Sequence, residues 1–564
     1  MPIIRNSDKW ACRQIAALLA AFGVCRVVTS PGSRNVPLLM AVARRGDLEV
    51  HSVIDERSAA FIALGMASLS GEPVALVCTS GTAMLNYAPA LAEAYYRHIP
   101  LIAVTADRPA EWIDQDDSQT IRQPKALDNI VKCSYAINGD AETATDRWFV
   151  NRTLNDAMLT AICGRKGPVH INVALATPLS QEDDIDSAET FRKISITERQ
   201  DLLPTDIARE MAAGLCGKKV LVVAGFNPPS ARVNRAMAQL AALPNVAVLS
   251  EGLSNIHAKG SVRASDIFMH KLIGAGHDEL WPEIVITLGG ALVSPALKTF
   301  LREKRPQEHW HVGINEATID CFMALTRRVE ISPDGFFPRL AGALSHLTRT
   351  GANHGSYAAA WHNAAMAYEL PKVNKWSAFF AVREILRNIP SAWNLQLSNG
   401  MSVRYALAND LSRHHRVDCN RGVSGIDGSV STAVGAANVV SVPTLLITGD
   451  MSLQYDIAAL SVADLPSRLK IVVLNNGGGG IFKFVKTTAG LPELPTLING
   501  QMNLPLEQLA RAYGFHYLRA CDSVQLREAV RDMIDETDRP VIMEVVTDAD
   551  VDAAEMTSLY NGIF

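Results

Sequence analysis

The sequence predicts an α/β protein built on parallel sheets, and three observations carry that expectation. Short runs such as PVALVCTS (73–80) and LKIVVLNN (469–476) are apolar almost throughout rather than alternating, as strands covered on both faces must be. Longer segments with helical periodicity separate these runs, which is the spacing of βαβ units. Two polar stretches, QEDDIDSAET (181–190) and TRTGANHGSY (348–357), then divide the runs into three groups.

Taken in order, the opening MPIIRNSDKWACRQIAALLAAFG carries Arg5, Asp8, Lys9 and Arg13 and an apolar stretch ending at Gly23, and reads as an amphipathic helix rather than a secretory leader. Strands are expected at 25–30, 49–54, 73–80, 100–107 and 168–174, closing near Pro178. A second group follows the first polar stretch, at 218–225, 246–252, 283–290 and 309–314. The third comprises 394–400, 443–450, 469–476 and 540–546. Three α/β domains are therefore expected, over 1–182, 191–347 and 358–564.

A chain of 564 residues with 48% hydrophobic content can bury several cores. Its net charge of -5, without a run of Lys or Arg, gives no electrostatic reason for nucleic acid or an anionic membrane as partner. Nine cysteines lie scattered without a C-x-x-C pair, which points to reduced thiols in a cytoplasmic setting rather than to disulfides or structural zinc. Cys78 and Cys419 have no adjacent His and read as small buried hydrophobes, and His51 and His170, on strand candidates, read as structural. No segment approaches the roughly 18 apolar residues that a membrane span needs.

The most informative local pattern is a pair of strand ends. LLITGDMS (445–452) ends its strand in Gly449-Asp450, and VVLNNGGGGIF (472–482) runs into two asparagines and four glycines. Asp450 stands 26 positions before Asn476, room for one helix and a return strand, so parallel neighbours would bring both carboxyl ends together, where open α/β sheets bind ligands. A carboxylate, an amide oxygen and a nearby backbone carbonyl are hard ligands suited to Mg²⁺ held jointly with a phosphate. Glycines let backbone N–H groups approach phosphate oxygens, and a helix beginning near Ile481 would direct its positive end there. Ordinary turn punctuation is the competing reading.

This Gly-Asp, gap and Asn-Asn arrangement resembles the metal and cofactor motif of the thiamine-diphosphate-dependent decarboxylases and carboligases. The resemblance implies a carboxylate that hydrogen-bonds the cofactor's aminopyrimidine ring, and HSVIDERSAAFIALGMA (51–67) offers Glu56. PVALVCTSGTAMLNYAPALAEA (73–94) is similar to the strand, turn and helix that follow that Glu, and GPVHINVALATPLS (167–180) to the close of the pyrimidine-binding domain. It implies that 1–182 is a pyrimidine-binding domain, 191–347 a central α/β domain and 358–564 a diphosphate-binding domain. The implied cofactors are thiamine diphosphate and Mg²⁺ or Mn²⁺. A homodimer at least, or a homotetramer, is implied because the family's cofactor lies between two subunits.

SPGSRNVPL (30–38), IDERSAAFIALG (54–65), TADRPAEWIDQDDSQTIRQP (105–124), NRGVSGIDGSVSTAVG (420–435) and GGGIFKF (478–484) together resemble the menaquinone-pathway branch of that family. That branch decarboxylates 2-oxoglutarate and adds the succinyl carbanion equivalent to isochorismate by 1,4-addition. Both substrates are dicarboxylates, which the planar fork of Arg suits. The resemblance implies that Ser33, Arg34, Arg108 and Gln119 face isochorismate, with Gln119 joining Glu56 in catalysis. It puts Arg404 and Arg421 on the oxoglutarate-derived carboxylate. Ile426, Asp450, Ser452, Asn476, Gly478, Ile481 and Phe482 would contact the cofactor, with Asp450, Asn476 and Gly478 as metal ligands.

Two places depart from that pattern. ALVSPALKTF (291–300) has Pro295 and Ala296 where the family often carries a basic pair, leaving Lys298 as the candidate replacement, and Gly400 stands where a Ser is common. The alternatives are another thiamine-diphosphate carboligase of the acetolactate-synthase kind, which the Arg404 and Arg421 pair opposes, and a non-catalytic scaffold, which the presence of Glu56, Asp450 and Asn476 opposes. A nicotinamide dehydrogenase lacks its G-x-G-x-x-G.

Overall fold

The computed structural model describes residues 3–560 apart from 187–188, 190, 198–199, 304, 315–316, 349–356, 370–371, 464 and 501–503. The chain opens with β1 (Ile3–Ser7). The first sheet then contains β2 (Arg26–Thr29), β3 (Glu49–Ser52), β4 (Val74–Cys78), β5 (Leu101–Asp107), β6 (Ser134–Asn138) and β7 (Val169–Ala174), in the order β3-β2-β4-β5-β7-β6. β8 (Glu182–Asp186) returns to pair antiparallel with β1. The middle sheet contains β9 (Val220–Ala224), β10 (Val246–Ser250), β11 (Val262–Arg263), β12 (Ile284–Leu288), β13 (Glu308–Val312) and β14 (Leu325–Val329), in the order β11-β10-β9-β12-β13-β14. The last contains β15 (Asn394–Leu397), β16 (Val417–Cys419), β17 (Thr444–Gly449), β18 (Leu469–Asn475), β19 (His516–Ala520) and β20 (Val541–Val546), in the order β16-β15-β17-β18-β20-β19.

Every neighbouring pair within these three sheets is parallel. Counted within each sheet, the first and last share one strand order: second, first, third, fourth, sixth, fifth. The middle sheet runs third, second, first, fourth, fifth, sixth, a doubly wound order that reverses between β9 and β12.

The α/β expectation holds, and the strands it missed within the three parallel sheets share a cause. β6, β11, β14, β16 and β19 are all edge strands. An edge strand has one uncovered flank and needs no continuous apolar run, as Leu325–Val329 (LTRRV) and His516–Ala520 (HYLRA) illustrate. Two polar segments are also more ordered than expected. Ile3–Ser7 is a strand, with the helix starting only at Trp10, and part of the stretch read as a linker is its partner Glu182–Asp186. The second polar connection falls largely outside the described residues.

β4 shows how the sheets are covered. Val74, Leu76 and Cys78 face a core shared with Leu446, Ile471 and Val473 of the last sheet, whereas Ala75 and Val77 face an outer core with Ile102 and Val104. Between the two sheets pack the helices Glu56–Ser70 and Ser429–Val439. A Cβ at Gly65 would lie 2.1 Å from the Thr432 carbonyl oxygen, and one at Gly435 would lie 2.0 Å from that of Ile62. The helices therefore meet backbone to backbone, a spacing that only glycine allows. Arg97, at the end of the Ala88–Arg97 helix, joins all three units. Its Nη2 donates to Ser68 Oγ (2.9 Å) and its Nη1 to Asn420 Oδ1 (3.1 Å), while the ring of Phe226 covers the guanidinium at 4.8 Å.

Candidate active site at the strand ends

The candidate residues follow the carboxyl ends of the same four strands in each of the two equivalent sheets. In the first sheet Ser33 and Arg34 follow β2, Glu56 follows β3, the Thr79-Ser80-Gly81 turn follows β4, and Arg108 and Gln119 follow β5. In the last sheet Arg404 follows β15, Arg421 and Ile426 follow β16, Asp450 and Ser452 follow β17, and Asn476, Gly478, Ile481 and Phe482 follow β18. This is where a parallel sheet leaves its ligand crevice.

The last sheet assembles a compact oxygen-rich turn. Asp450 is 2% exposed, and its Oδ2 accepts from the backbone N–H of Gly477 and Gly478, both at 2.9 Å, while Oδ1 accepts from Met451 N–H at 2.7 Å. The β17 and β18 ends therefore meet as the spacing predicted. Burial pushes the Asp450 carboxyl up, and those N–H donors pull it back. A cation beside it would favour the charged form further. Ser452 Oγ donates to the Ile426 carbonyl (2.8 Å), tying this turn to the loop after β16. Gly477 and Gly478 adopt φ of 80° and 147°, and a Cβ on Gly478 would lie 2.7 Å from the Asn499 carbonyl oxygen. Ile481 and Phe482 are half-buried, and Gly479 lies against both the Phe482 ring and the Met451 sulfur. The helix expected there is only Ile481–Phe484, too short to offer a helix-end field of its own. The carboxylate, amide and carbonyl oxygens of Asp450, Asn476 and Gly478 suit a hard divalent cation bound with a diphosphate, as the bare glycine backbone also does.

Two like-charged arginine pairs complete the picture, one per sheet. Arg34 is buried, donates from Nη1 to the Leu175 carbonyl (2.9 Å), and has its basicity lowered first by burial and then by nearby Arg108. Arg108 forms an ion pair with Asp117. Arg404 donates to the Gly400 carbonyl (2.6 Å), and burial followed by the charge of Arg421 lowers it in the same way. Arg421 Nη1 donates to Asn399 Oδ1 (3.0 Å), and Asn399 Nδ2 donates to the carbonyls of Asn420 (2.6 Å) and Gly425 (2.7 Å). The Nε atoms of Arg108 and Arg421 are buried without a hydrogen-bond partner. Asp117 already answers part of the charge of Arg108, and the unused Nε donors of Arg108 and Arg421 are of the kind a bound carboxylate satisfies.

Glu56 opens its helix behind the N-cap Asp55, which accepts from Ser58 N–H (2.8 Å). It is half-buried, and burial raises its carboxyl above the ordinary range, with Asp55 adding to the effect. Gln119 is exposed, with φ of 59°, and its backbone carbonyl borders Gly81. Within one chain the first and last units join beside Glu56 through Arg57, whose Nη2 donates to the Tyr455 carbonyl (2.7 Å).

Some supporting residues gave no signal in the sequence. Glu93, 1% exposed, accepts from the N–H groups of Gly422 (2.8 Å) and Val423 (2.7 Å) and so pins the Arg421 loop from the first unit. Asn399 could have been found, because Asn-Gly at a strand end is the same cue that marks Asn476. The departures also gain a setting. Ala296 N–H donates to Asp266 Oδ1 (3.0 Å), and Pro295, Asp266, Arg404 and Tyr560 line one small cavity. The charge of Lys298 acts on Glu251, which lines the same cavity, and on Cys321. His170 Nε2 lies 2.8 Å from Thr105 Oγ1, and Cys78 and Cys419 are buried, as expected of structural residues.

Comparison with known proteins agrees with both halves. Residues 9–127 match the model for the N-terminal TPP binding domain of thiamine pyrophosphate enzymes, and residues 400–545 the model for their C-terminal TPP binding domain. The class is thereby defined as a thiamine-diphosphate-dependent enzyme. The chain is 40% identical to the 2-succinyl-5-enolpyruvyl-6-hydroxy-3-cyclohexene-1-carboxylate synthase of Porphyromonas gingivalis, over 96% of this chain and 95% of that protein. It is 35% identical to the synthase of the same name in Flavobacterium johnsoniae, over 95% of each, and 36% identical to that of Bacteroides fragilis, over 98% and 99%. The chain belongs to the family of 2-succinyl-5-enolpyruvyl-6-hydroxy-3-cyclohexene-1-carboxylate synthases.

Proposed function

We propose that the chain decarboxylates 2-oxoglutarate and adds the remaining succinyl unit to isochorismate, forming 2-succinyl-5-enolpyruvyl-6-hydroxy-3-cyclohexene-1-carboxylate and CO₂. The observation that carries this reading is the pair of arginine pairs. Each equivalent sheet places two arginines after its ligand-edge strands, one of each pair with a buried, unpartnered Nε, and the reaction has two dicarboxylate substrates. An enzyme taking pyruvate has no second carboxylate to offer Arg404 and Arg421.

Thiamine diphosphate, when bound, would supply the carbon nucleophile that 2-oxo acid decarboxylation requires. Glu56, whose carboxyl burial raises, would share a proton with the aminopyrimidine nitrogen of the cofactor. Asp450, Asn476 and the Gly478 carbonyl would hold Mg²⁺ or Mn²⁺ together with the cofactor's diphosphate, with Ser452 steadying the turn through its bond to the Ile426 carbonyl. Ile426, Ile481 and Phe482 keep water from the reacting carbon. Arg404 and Arg421 grip the distal carboxylate of the donor, and Ser33, Arg34, Arg108 and Gln119 orient isochorismate for 1,4-addition.

A second copy of the chain completes the site. Ile54, Val423 and Tyr455 stand beside Glu56, Arg421 and Asp450 with exposures of 81%, 51% and 52%, which supports cover by a homodimer at least. Nine free cysteines support a cytoplasmic enzyme, and among the described residues no helix is long and apolar enough to cross a membrane.

The test is CO₂ release from 2-oxoglutarate with thiamine diphosphate and Mg²⁺, with and without isochorismate, while isochorismate loss is followed. Coupled release and loss are expected. Release that ignores isochorismate would reopen the acceptor, and preference for pyruvate would overturn the donor.

A further inference from the structure

The C-terminal helix Ala549–Tyr560 packs behind the glycine-rich turn, and one of its buried side chains reaches a candidate cation ligand. Asp552 is 2% exposed, and its Oδ2 accepts from Asn476 Nδ2 at 3.1 Å. We propose that Asp552 is a positioning residue that fixes which end of the Asn476 amide faces the cation. This inference rests on the reading of Asp450, Asn476 and Gly478 as cation ligands.

An amide offers one oxygen and one NH₂ of nearly equal size, and only the oxygen can bind a hard cation. Rotating the Asn476 amide by half a turn would set its oxygen against the Asp552 carboxylate, acceptor facing acceptor. The carboxylate therefore selects the orientation that leaves Oδ1 toward the turn. Asp552 can impose this because it is itself held. Its Oδ1 accepts from Ala378 N–H (2.7 Å) and its Oδ2 also accepts from Thr547 Oγ1 (2.7 Å).

The neighbouring asparagine shows the same device directed elsewhere. Asn475 Nδ2 donates to Glu544 Oε1 (2.6 Å), so each of the two asparagines has its NH₂ taken by its own carboxylate. Gly480 leaves the space the Asn476 amide needs, since a Cβ there would lie 2.7 Å from Nδ2. The helix is also secured on either side of Asp552. Asp550 pairs with Lys483 (2.7 Å), and the Tyr560 and Phe484 rings meet at 5.5 Å.

The informative variant is Asp552→Asn, which keeps shape and volume. Its Oδ1 can still accept from Ala378 N–H and its NH₂ can donate to Thr547, but that NH₂ then faces the NH₂ of Asn476. The amide must turn its oxygen inward and present NH₂ to the cation. Wild type, Asp552→Asn, Thr547→Val and Asp450→Ala should be titrated with Mn²⁺ in the presence of thiamine diphosphate, with bound Mn²⁺ read by electron paramagnetic resonance. Melting of each variant without cofactor checks that it folds. Asp552→Asn is expected to weaken Mn²⁺ binding by about 10–100-fold, the usual effect of removing an outer partner of a metal ligand, while Thr547→Val stays near wild type. Unchanged Mn²⁺ affinity in a folded Asp552→Asn, with Asp450→Ala impaired, overturns the role of Asp552 alone. Unchanged affinity in Asp450→Ala overturns the cation site itself.

Discussion

Gly435→Ala adds one methyl group where two helices meet without side chains between them. In an exposed helix the same change stabilises by about 1 kcal/mol, because alanine is the better helix former. Here the new Cβ would stand 2.0 Å from the Ile62 carbonyl oxygen. To reach even 3.0 Å, the closest approach real Cβ atoms show, one helix must retreat by about 1 Å, and overpacking of this kind typically costs about 1–3 kcal/mol. The net effect is therefore a loss, opposite in sign to propensity. The Ser429–Val439 helix directly follows the loop carrying Arg421 and Ile426, and a misplacement of about 1 Å can lower turnover by about 10²-fold. Gly214, in the Thr205–Leu215 helix, has nothing within 4 Å of a built Cβ and provides the control. Denaturant midpoints are the assay, read with CO₂ release. Gly214→Ala should leave the midpoint unchanged or raise it, and Gly435→Ala should lower it. A Gly435→Ala midpoint at or above wild type would refute the backbone interlock.

Glu56→Gln should lower turnover by about 10²–10⁴-fold while thiamine diphosphate still binds, as CO₂ release and a binding titration would register; near-normal turnover removes Glu56 from the mechanism. Arg421→Leu should raise KM for 2-oxoglutarate by about one to two powers of ten, and an unchanged KM would free this residue from the donor carboxylate. Burial lifts the Glu251 carboxyl from 4.5 to about 7, against the N–H donors of Val293 and Ser294. Its contribution to stability is complete below pH 4.5 and is lost as pH rises through about 7. Glu251→Gln should flatten the fall of the unfolding midpoint across that window, and an unaltered slope would reject the assignment.

The strands that read clearly in the sequence are mostly those covered on both faces, because continuous apolar runs are demanded only there. Leu325–Val329 and His516–Ala520 lie at sheet edges, carry charge, and were invisible for the same reason. The Asp450 turn was legible because a carboxylate, two asparagines and glycines at strand ends have few structural uses in common. Glu93 and Asp552 were not. Each acts on a loop or strand end distant in sequence, Gly422–Val423 and Asn476 respectively, and an acidic residue on a helix carries no mark of its partner. The likeness between the two arginine pairs was also hidden. It depends on the strand order shared by the two outer sheets, which no single motif contains.

That shared order bears on ancestry. Two sheets of identical plan, packed on one core with their candidate residues after corresponding strands, have the form that duplication of one ancestral unit would leave. At corresponding places one sheet is followed by an acid and the other by a guanidinium, Glu56 after β3 and Arg421 after β16. The middle sheet, wound to another order, stands outside that kinship of plan.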